Sequence, residues 1–256
     1  MNAPPLIKCE SVHLAYDETV ILSDVSLSIA QHEVVTILGG SGCGKTTLLR
    51  TLVGLLPPSA GDVRIFGERL YTLSVRKRAH LLRRTGMLFQ QDALFGSLSV
   101  LENVMLPLRE LTRLPAPVMT EMARMKLALV GLAALGNRLP AELSGGQRKR
   151  VGLARASVMD PRIIFCDEPT AALDPIVAAQ LDQTLLRFRD VLGITIVAVT
   201  HDLNTIETIS DRAIMLGRGR ILAVGTVAEL HRSDNPDVYR FFHRLPPETP
   251  AARGDQ

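Results

Sequence analysis

Gly39-Gly40-Ser41-Gly42-Cys43-Gly44-Lys45-Thr46 fits the pattern G-x-x-x-x-G-K-[ST], and no other stretch restricts the possible folds of this chain as tightly. The pattern is meaningful only between a strand and a helix, and both flanks are present. Residues 33–38, Glu-Val-Val-Thr-Ile-Leu, form an apolar run of strand length, and 45–53 reads as a helix stopped by Gly54 and Pro57-Pro58. Glycines at 39, 40, 42 and 44 remove the Cβ atoms that would keep a ligand off the backbone, so successive N–H groups can converge at a helix N-terminus. Such a nest suits a polyphosphate. Lys45 is placed to reach the β and γ phosphates, and the Thr46 hydroxyl to take one position on Mg²⁺, with Thr47 completing the run.

The rest of the chain supplies a sheet for this loop. Residues 6–16 and 20–29 alternate apolar and polar side chains as antiparallel strands do, with Asp17-Glu18 as the turn. A short strand at 61–67, a helix at 74–83 and a strand at 86–89 follow. Residues 97–158 then hold helical patterns at 100–105, 118–130 and 144–158 and no convincing strand, which predicts a helical insertion in an α/β core. Strands return at 162–166, 194–199 and 213–216, separated by helices at 175–191 and 203–209, and residues 220–224 close the core. Alternation of this kind gives a mostly parallel sheet with helices on both faces. An aliphatic interior agrees with it, since 46% of residues are hydrophobic but only 4% aromatic.

Two further stretches carry chemistry. Arg162-Ile163-Ile164-Phe165-Cys166-Asp167-Glu168 is an apolar strand ending in two carboxylates. At the C-terminal end of a strand parallel to 33–38, Asp167 can reach the Mg²⁺, and Glu168 can accept a proton from an attacking water. Leu143-Ser144-Gly145-Gly146-Gln147 starts a helix capped by Ser144, yet each glycine there weakens the helix by ~1 kcal/mol unless something must approach that backbone. An anion is the obvious candidate, and a capped helix with spare glycines is the plain alternative.

At these residues the chain resembles the ATP-binding subunit of an ABC transporter, over about residues 6–232. The resemblance implies a P-loop (RecA-like) α/β core, an N-terminal antiparallel β subdomain and an inserted α-helical subdomain. Residues 143–147 match the family's signature, which binds the γ-phosphate held by the opposite subunit of a head-to-tail homodimer with two ATP. Gln90 matches its phosphate-sensing glutamine, a further Mg²⁺ contact, and His201 its switch histidine. Tyr16 matches the aromatic that stacks on adenine. Singly, these read as well as a loop amide, a core or capping imidazole and a turn aromatic; their order and spacing decide. The loop after the acidic pair reads Ala171-Ala172-Leu173-Asp174 where the family has S-A-L-D, so a serine hydroxyl is missing while Asp174 remains.

Residues 86–95 and 102–110 look like the ATPases of MCE-associated, Mla-type phospholipid transport, which implies two integral-membrane permease subunits, an MCE-type lipid-binding protein and a place on the cytoplasmic face of the inner membrane. Other importer-type transporters and non-transport ABC proteins compete, the latter being DNA-repair or chromosome-organising ATPases, ribosome-bound factors and cell-division scaffolds; of these, repair and chromosome proteins carry long coiled coils and ribosome factors paired cassettes, and this sequence shows neither. A small-substrate P-loop kinase leaves residues 143–147 unexplained. Net charge of +3, with its basic clusters read as solvated helix faces, gives no footprint for nucleic acid. Cys9, Cys43 and Cys166 lack metal spacing and imply a reducing compartment. No stretch approaches the ~20 apolar residues of a membrane span, and the first five residues lack a signal-peptide pattern. The ATPase domain is expected to cover 1–234. Beyond it a short helix with Val238, Phe241, Phe242 and Leu245 on one face leads into a mobile tail. That face is expected either to pack on its own core or to grip the neighbouring subunit.

Overall fold

A computed structural model describes residues 4–91 and 93–246. Strands β1 (Ile7–Tyr16) and β2 (Thr19–Ile29) form a hairpin, and β3 (Val34–Leu38) leads through the glycine loop into α1 (Lys45–Leu52). Next come β4 (Ala60–Ile65), the two-residue β5 (Glu68–Arg69), α2 (Val75–Leu82) and β6 (Thr85–Leu88). Helices α3 (Val100–Leu111), α4 (Ala116–Leu129) and α5 (Gly145–Ser157) precede β7 (Ile163–Asp167) and α6 (Pro175–Leu192). The chain continues with β8 (Thr195–Val199), α7 (Leu203–Ile209), the β9 (Arg212–Gly217) and β10 (Arg220–Gly225) hairpin, α8 (Val227–His231) and α9 (Pro236–Phe242).

One sheet has the order β10-β9-β3-β8-β7-β6, parallel except for β10; the other, β2-β1-β4-β5, is antiparallel. The sequence predicts this split between a parallel core and an antiparallel layer. Every residue of β3 and β8 is buried, as central parallel strands covered on both faces require. Ile37 is level with Val199, and Val199 with Asp167, so the carboxyl ends of β3, β8 and β7 finish side by side. Between β6 and β7 the described residues contain helices and turns and no strand.

Three departures from the sequence reading have physical causes. The helix starting at Val100 runs through Pro107 to Leu111: Pro107 removes one backbone donor, but a Ser99–Glu102 capping box and the apolar face of Val100, Val104 and Leu108 sustain the helix. Helix α8 and strand β5 are too short to show a period. The Arg148-Lys149-Arg150 cluster is not a solvated face, because Lys149 is only 4% exposed.

Helix α9 packs on its own core. Val238 and Phe242 are buried with Leu38, Leu203, Ile206, Met215 and Leu230, and Phe241 is half-buried against the same cluster. Leu245 lies past the helix end and is largely exposed. The two most buried apolar side chains of the predicted face are therefore committed within the chain, which is the first of the two expectations. The expected mobile tail, 247–256, lies outside the described residues, as do Met1, Asn2 and Ala3. Phe242→Ala should lower stability by about 3–5 kcal/mol, read as a shift in the denaturant midpoint of the isolated chain; an unchanged midpoint would mean that α9 is not part of this core.

Candidate nucleotide site

The glycine loop begins where β3 ends. Gly39 (φ 145°) runs so close to β9 that a Cβ there would lie 2.2 Å from the Leu216 carbonyl oxygen, and Gly44 (φ 100°), the N-cap of α1, would strike Leu22 at 2.8 Å. These two glycines are dictated by the fold. At Gly40 and Gly42 a Cβ would meet nothing within 4 Å, so that side of the loop is open. Ser41 and Thr46 are exposed, and Cys43 and Thr47 half-buried. Lys45 is 9% exposed, its Nζ donating to the Gly39 and Gly40 carbonyls at 2.8 and 2.9 Å. The ammonium thus lies over the mouth of the loop.

The acidic pair stands at the neighbouring strand ends. Asp167 closes β7, and its Oδ1 is buried without a hydrogen-bond partner among the described residues. Burial, and then the Glu168 carboxylate, push its pKa up. An orphaned carboxylate oxygen beside a phosphate-type loop is what a hard cation would satisfy, so the donor set of Asp167 and the exposed Thr46 hydroxyl fits Mg²⁺. Glu168 adopts φ 47°, uncommon outside glycine, which turns its side chain out of the strand's alternation. Its amide donates to Val199 O (2.8 Å), and its Oε1 pairs with His201 Nδ1 at 2.8 Å. Gln90 follows β6 and is exposed, while its backbone carbonyl accepts from Lys149 Nζ, which also donates to Phe89 O at 3.2 Å. Tyr16 ends β1, 39% exposed, its hydroxyl accepting from Arg50 Nη1 at 3.2 Å. The loop residues, Asp167, Glu168, His201 and Gln90 thus share the carboxyl edge of the parallel sheet.

Residues 144–147 open α5. Ser144 caps α5 in a reciprocal box with Gln147: Ser144 Oγ accepts from the Gln147 amide (3.3 Å), and Gln147 Oε1 from the Ser144 amide (2.9 Å). Helix α5 packs on β6, where a Cβ on Gly86 would lie 2.1 Å from the Ala156 carbonyl oxygen. In sheet order β6 is three strands from β3, about 14 Å. Gly146 has a reason inside the chain, since a Cβ would come within 2.1 Å of the Val177 Cγ1 on α6, whereas one on Gly145 would meet only ordinary contacts at 3.6 Å and beyond. Of the two glycines assigned to an approaching anion, Gly145 alone is left without a packing explanation. Asp174 likewise serves its own chain, its Oδ1 accepting from the Ile176 and Val177 amides that open α6 (both 3.1 Å).

The ABC transporter family model matches residues 22–171 of this chain. The chain belongs to that family. Over 237 residues, 93% of its length, the cassette is 39% identical to the probable ribonucleotide transport ATP-binding protein mkl of Mycobacterium tuberculosis, of which it spans only 66%. It is 36% identical, over the same 93%, to the intermembrane phospholipid transport system ATP-binding protein MlaF of Escherichia coli K12, covering 88% of that protein. The solved dimer of the cassette MJ0796 in a post-hydrolysis state with ADP and Pi superposes with a TM-score of 0.78 at 33% identity, over 86% of this chain and 98% of that one.

Sequence reasoning missed Lys149, hidden in a basic triplet, although a lysine three and four positions before Gly152 and Leu153 on a buried stripe was a readable signal. The thiols give a direct check of the loop. Cys9 and Cys166 are buried, and burial pushes both up to about 12, so both stay protonated and covered at neutral pH, whereas Cys43 lies half-buried among the loop amides. Maleimide should modify one thiol per folded chain, with Mg-ATP slowing it; intact-mass measurement showing a second modified thiol, or a rate indifferent to nucleotide, would contradict this placement.

Proposed function

We propose that this cassette is the ATP-hydrolysing motor subunit of an ABC transporter, acting as a head-to-tail homodimer that holds two ATP molecules. The observation that carries the proposal is the division of the site. The phosphate loop, Asp167, Glu168 and His201 gather at the carboxyl edge of the parallel sheet, while Ser144 opens α5, whose first glycines lie against Leu173 and Val177. A helix start whose first glycine is open can serve an anion held by a second copy turned end to end. In a two-fold dimer each copy gives and receives the same surface.

In this reading the amides of residues 39–46 and the Lys45 ammonium, once released from the Gly39 and Gly40 carbonyls, bind the phosphates, and Tyr16 takes the adenine face. Thr46, Asp167 and Gln90 would hold Mg²⁺, which neutralises charge on the phosphates. Glu168 accepts the proton of the attacking water on Oε2, because Oε1 is engaged by the His201 ring. His201 fixes the carboxylate's rotamer. Asp174 and residues 171–173 lie where the loop after the acidic pair meets the second copy.

The cargo we infer is phospholipid moved between membranes, with two integral-membrane permease subunits and an MCE-type lipid-binding protein as partners. The cassette then sits on the cytoplasmic face of the inner membrane. The similarity to MlaF over 88% of its length and the resemblance at 86–95 and 102–110 support this reading. Among the described residues no helix is long and apolar enough to cross a membrane, so attachment would come through the permease. Co-purification of the full chain with a polytopic permease and an MCE protein tests the transport reading, and its absence in a native membrane extract would count against it. Glu168→Gln should leave ATP binding within a few fold, lower kcat by about 10²–10⁴ and accumulate dimer on gel filtration with ATP. Turnover at the wild-type rate would remove Glu168 from the role of base.

A further inference from the structure

The apolar stripe that seats α6 on the core, Ala178, Leu181, Leu185 and Phe188, contains one carboxylate, Asp182, only 3% exposed. Its Oδ2 lies 3.2 Å from Thr205 Oγ1, and its Oδ1 is buried with no partner among the described residues. Thr205 is fully buried and touches two further oxygens: Thr170 Oγ1 at 3.0 Å and Asp202 Oδ2 at 3.3 Å. Thr170 is two residues beyond Glu168, and Asp202 directly follows His201 and caps α7 by accepting from the Asn204 amide at 3.0 Å. Both members of the Glu168–His201 pair are thus tethered, each within two residues, to one buried hydroxyl.

We propose that Asp182 is a positioning residue for the hydrolytic pair, acting through Thr205 on the segments that carry Glu168 and His201. It rests on the reading of Glu168 and His201 given above. The argument is a count of hydrogens. The Thr205 hydroxyl has one hydrogen and two lone pairs. With Asp182 neutral, its own O–H and that of Thr170 both donate to Thr205 Oγ1, whose hydrogen is then free for the Asp202 carboxylate. All three contacts of Thr205 are then satisfied and the turn after His201 is held, while Asp182 Oδ1 stays without a partner but carries no charge. With Asp182 ionised, two carboxylates compete for the single Thr205 hydrogen: either the buried Asp182 is left charged without a donor or the half-buried Asp202 loses its tie to Thr205.

The surroundings favour the neutral form. Burial pushes Asp182 up to about 7, the Thr205 hydrogen bond works in the opposite direction, and the Asp202 carboxylate, the titratable group facing it from α7, adds to the rise; the segment after Glu168 presents the uncharged Thr170. An acid raised in the fold is neutral there while the unfolded chain has already ionised. Its contribution to stability is therefore most favourable below the ordinary carboxylate range and is lost progressively as pH climbs from about 4 to about 7. Asparagine at 182 can donate to Thr205 as the neutral acid does, and cannot ionise.

The test is steady-state ATPase activity and melting temperature of the full chain across pH, with Asp182→Asn, Asp182→Ala and Thr205→Val. The kcat ratio of Asp182→Asn to wild type should rise about threefold or more between pH 6 and 8.5, with KM for ATP within about twofold, and its melting temperature should gain on wild type as pH goes from 5 to 7. Asp182→Ala and Thr205→Val should each lose about tenfold in kcat at unchanged KM. A flat kcat ratio with pH, or normal kcat in both of the last two variants, would overturn the proposal; loss in parallel with KM would reduce Asp182 to a fold element. Glu168→Gln with Asp182 intact tests the base assignment by itself, so failure of that assignment and failure of this one are seen separately.

Discussion

The arrangement of this cassette depends on the register of three parallel strands. Because Ile37, Val199 and Asp167 are level across β3, β8 and β7, the glycine loop, the turn with His201 and the acidic pair leave the sheet at one place. Parallel strands collect their carboxyl ends on one edge, and the central ones are buried on both sides, so little freedom remains in where those side chains start. A slip of one residue would turn Asp167 to the opposite face of the sheet. Burial that fixes the register also desolvates Asp167, so the strand that positions this carboxylate also prepares it for a cation.

Several residues of the site do double duty as structural elements. Ser144 and Gln147 cap each other, Asp174 caps α6, Asp202 caps α7, and Gly39, Gly44 and Gly146 are required by close approach of backbone or side chains. Such a site is held by the local energetics of helix starts, each worth roughly 1 kcal/mol, rather than by long side chains tethered at a distance. Lys149 extends the pattern: its ammonium binds the carbonyls of Phe89 and Gln90 and so ties the start of α5 to the loop carrying the glutamine. Movement of the helical segment would be felt at Gln90 through that tie.

Much of this is readable from the chain. The loop between Val34–Leu38 and Lys45–Leu52, the carboxylates at 167 and 168, the alternation of strands and helices and the helical stretch between β6 and β7 all follow from period and punctuation, which local side-chain chemistry sets. What escaped depends on tertiary context. Lys149 and Asp182 are charged residues in buried stripes, and a composition reading places such groups in solvent. Gly146 also has a packing role that the sequence hides, because Val177 stands opposite only in three dimensions. The face of α9 is legible as apolar, but whether it meets its own core or a second copy is decided by where β9 and α7 lie, and Leu38, Met215 and Ile206 receive it.

The central claim is that each nucleotide is held by the phosphate loop of one copy and the Ser144 helix of another. Mixing two defective chains tests it directly, both in a Glu168→Gln background: one with Lys45→Ala, the other with Ser144→Arg. Neither homodimer has an intact composite site, whereas the mixed dimer has one, formed by Lys45 of one chain and Ser144 of the other. Retained ATP measured after rapid gel filtration should be negligible for each parent and about one molecule per mixed dimer. Retention no greater in the mixture than in the parents would contradict the shared site, and retention by the Ser144→Arg parent alone would place the whole nucleotide site within a single chain.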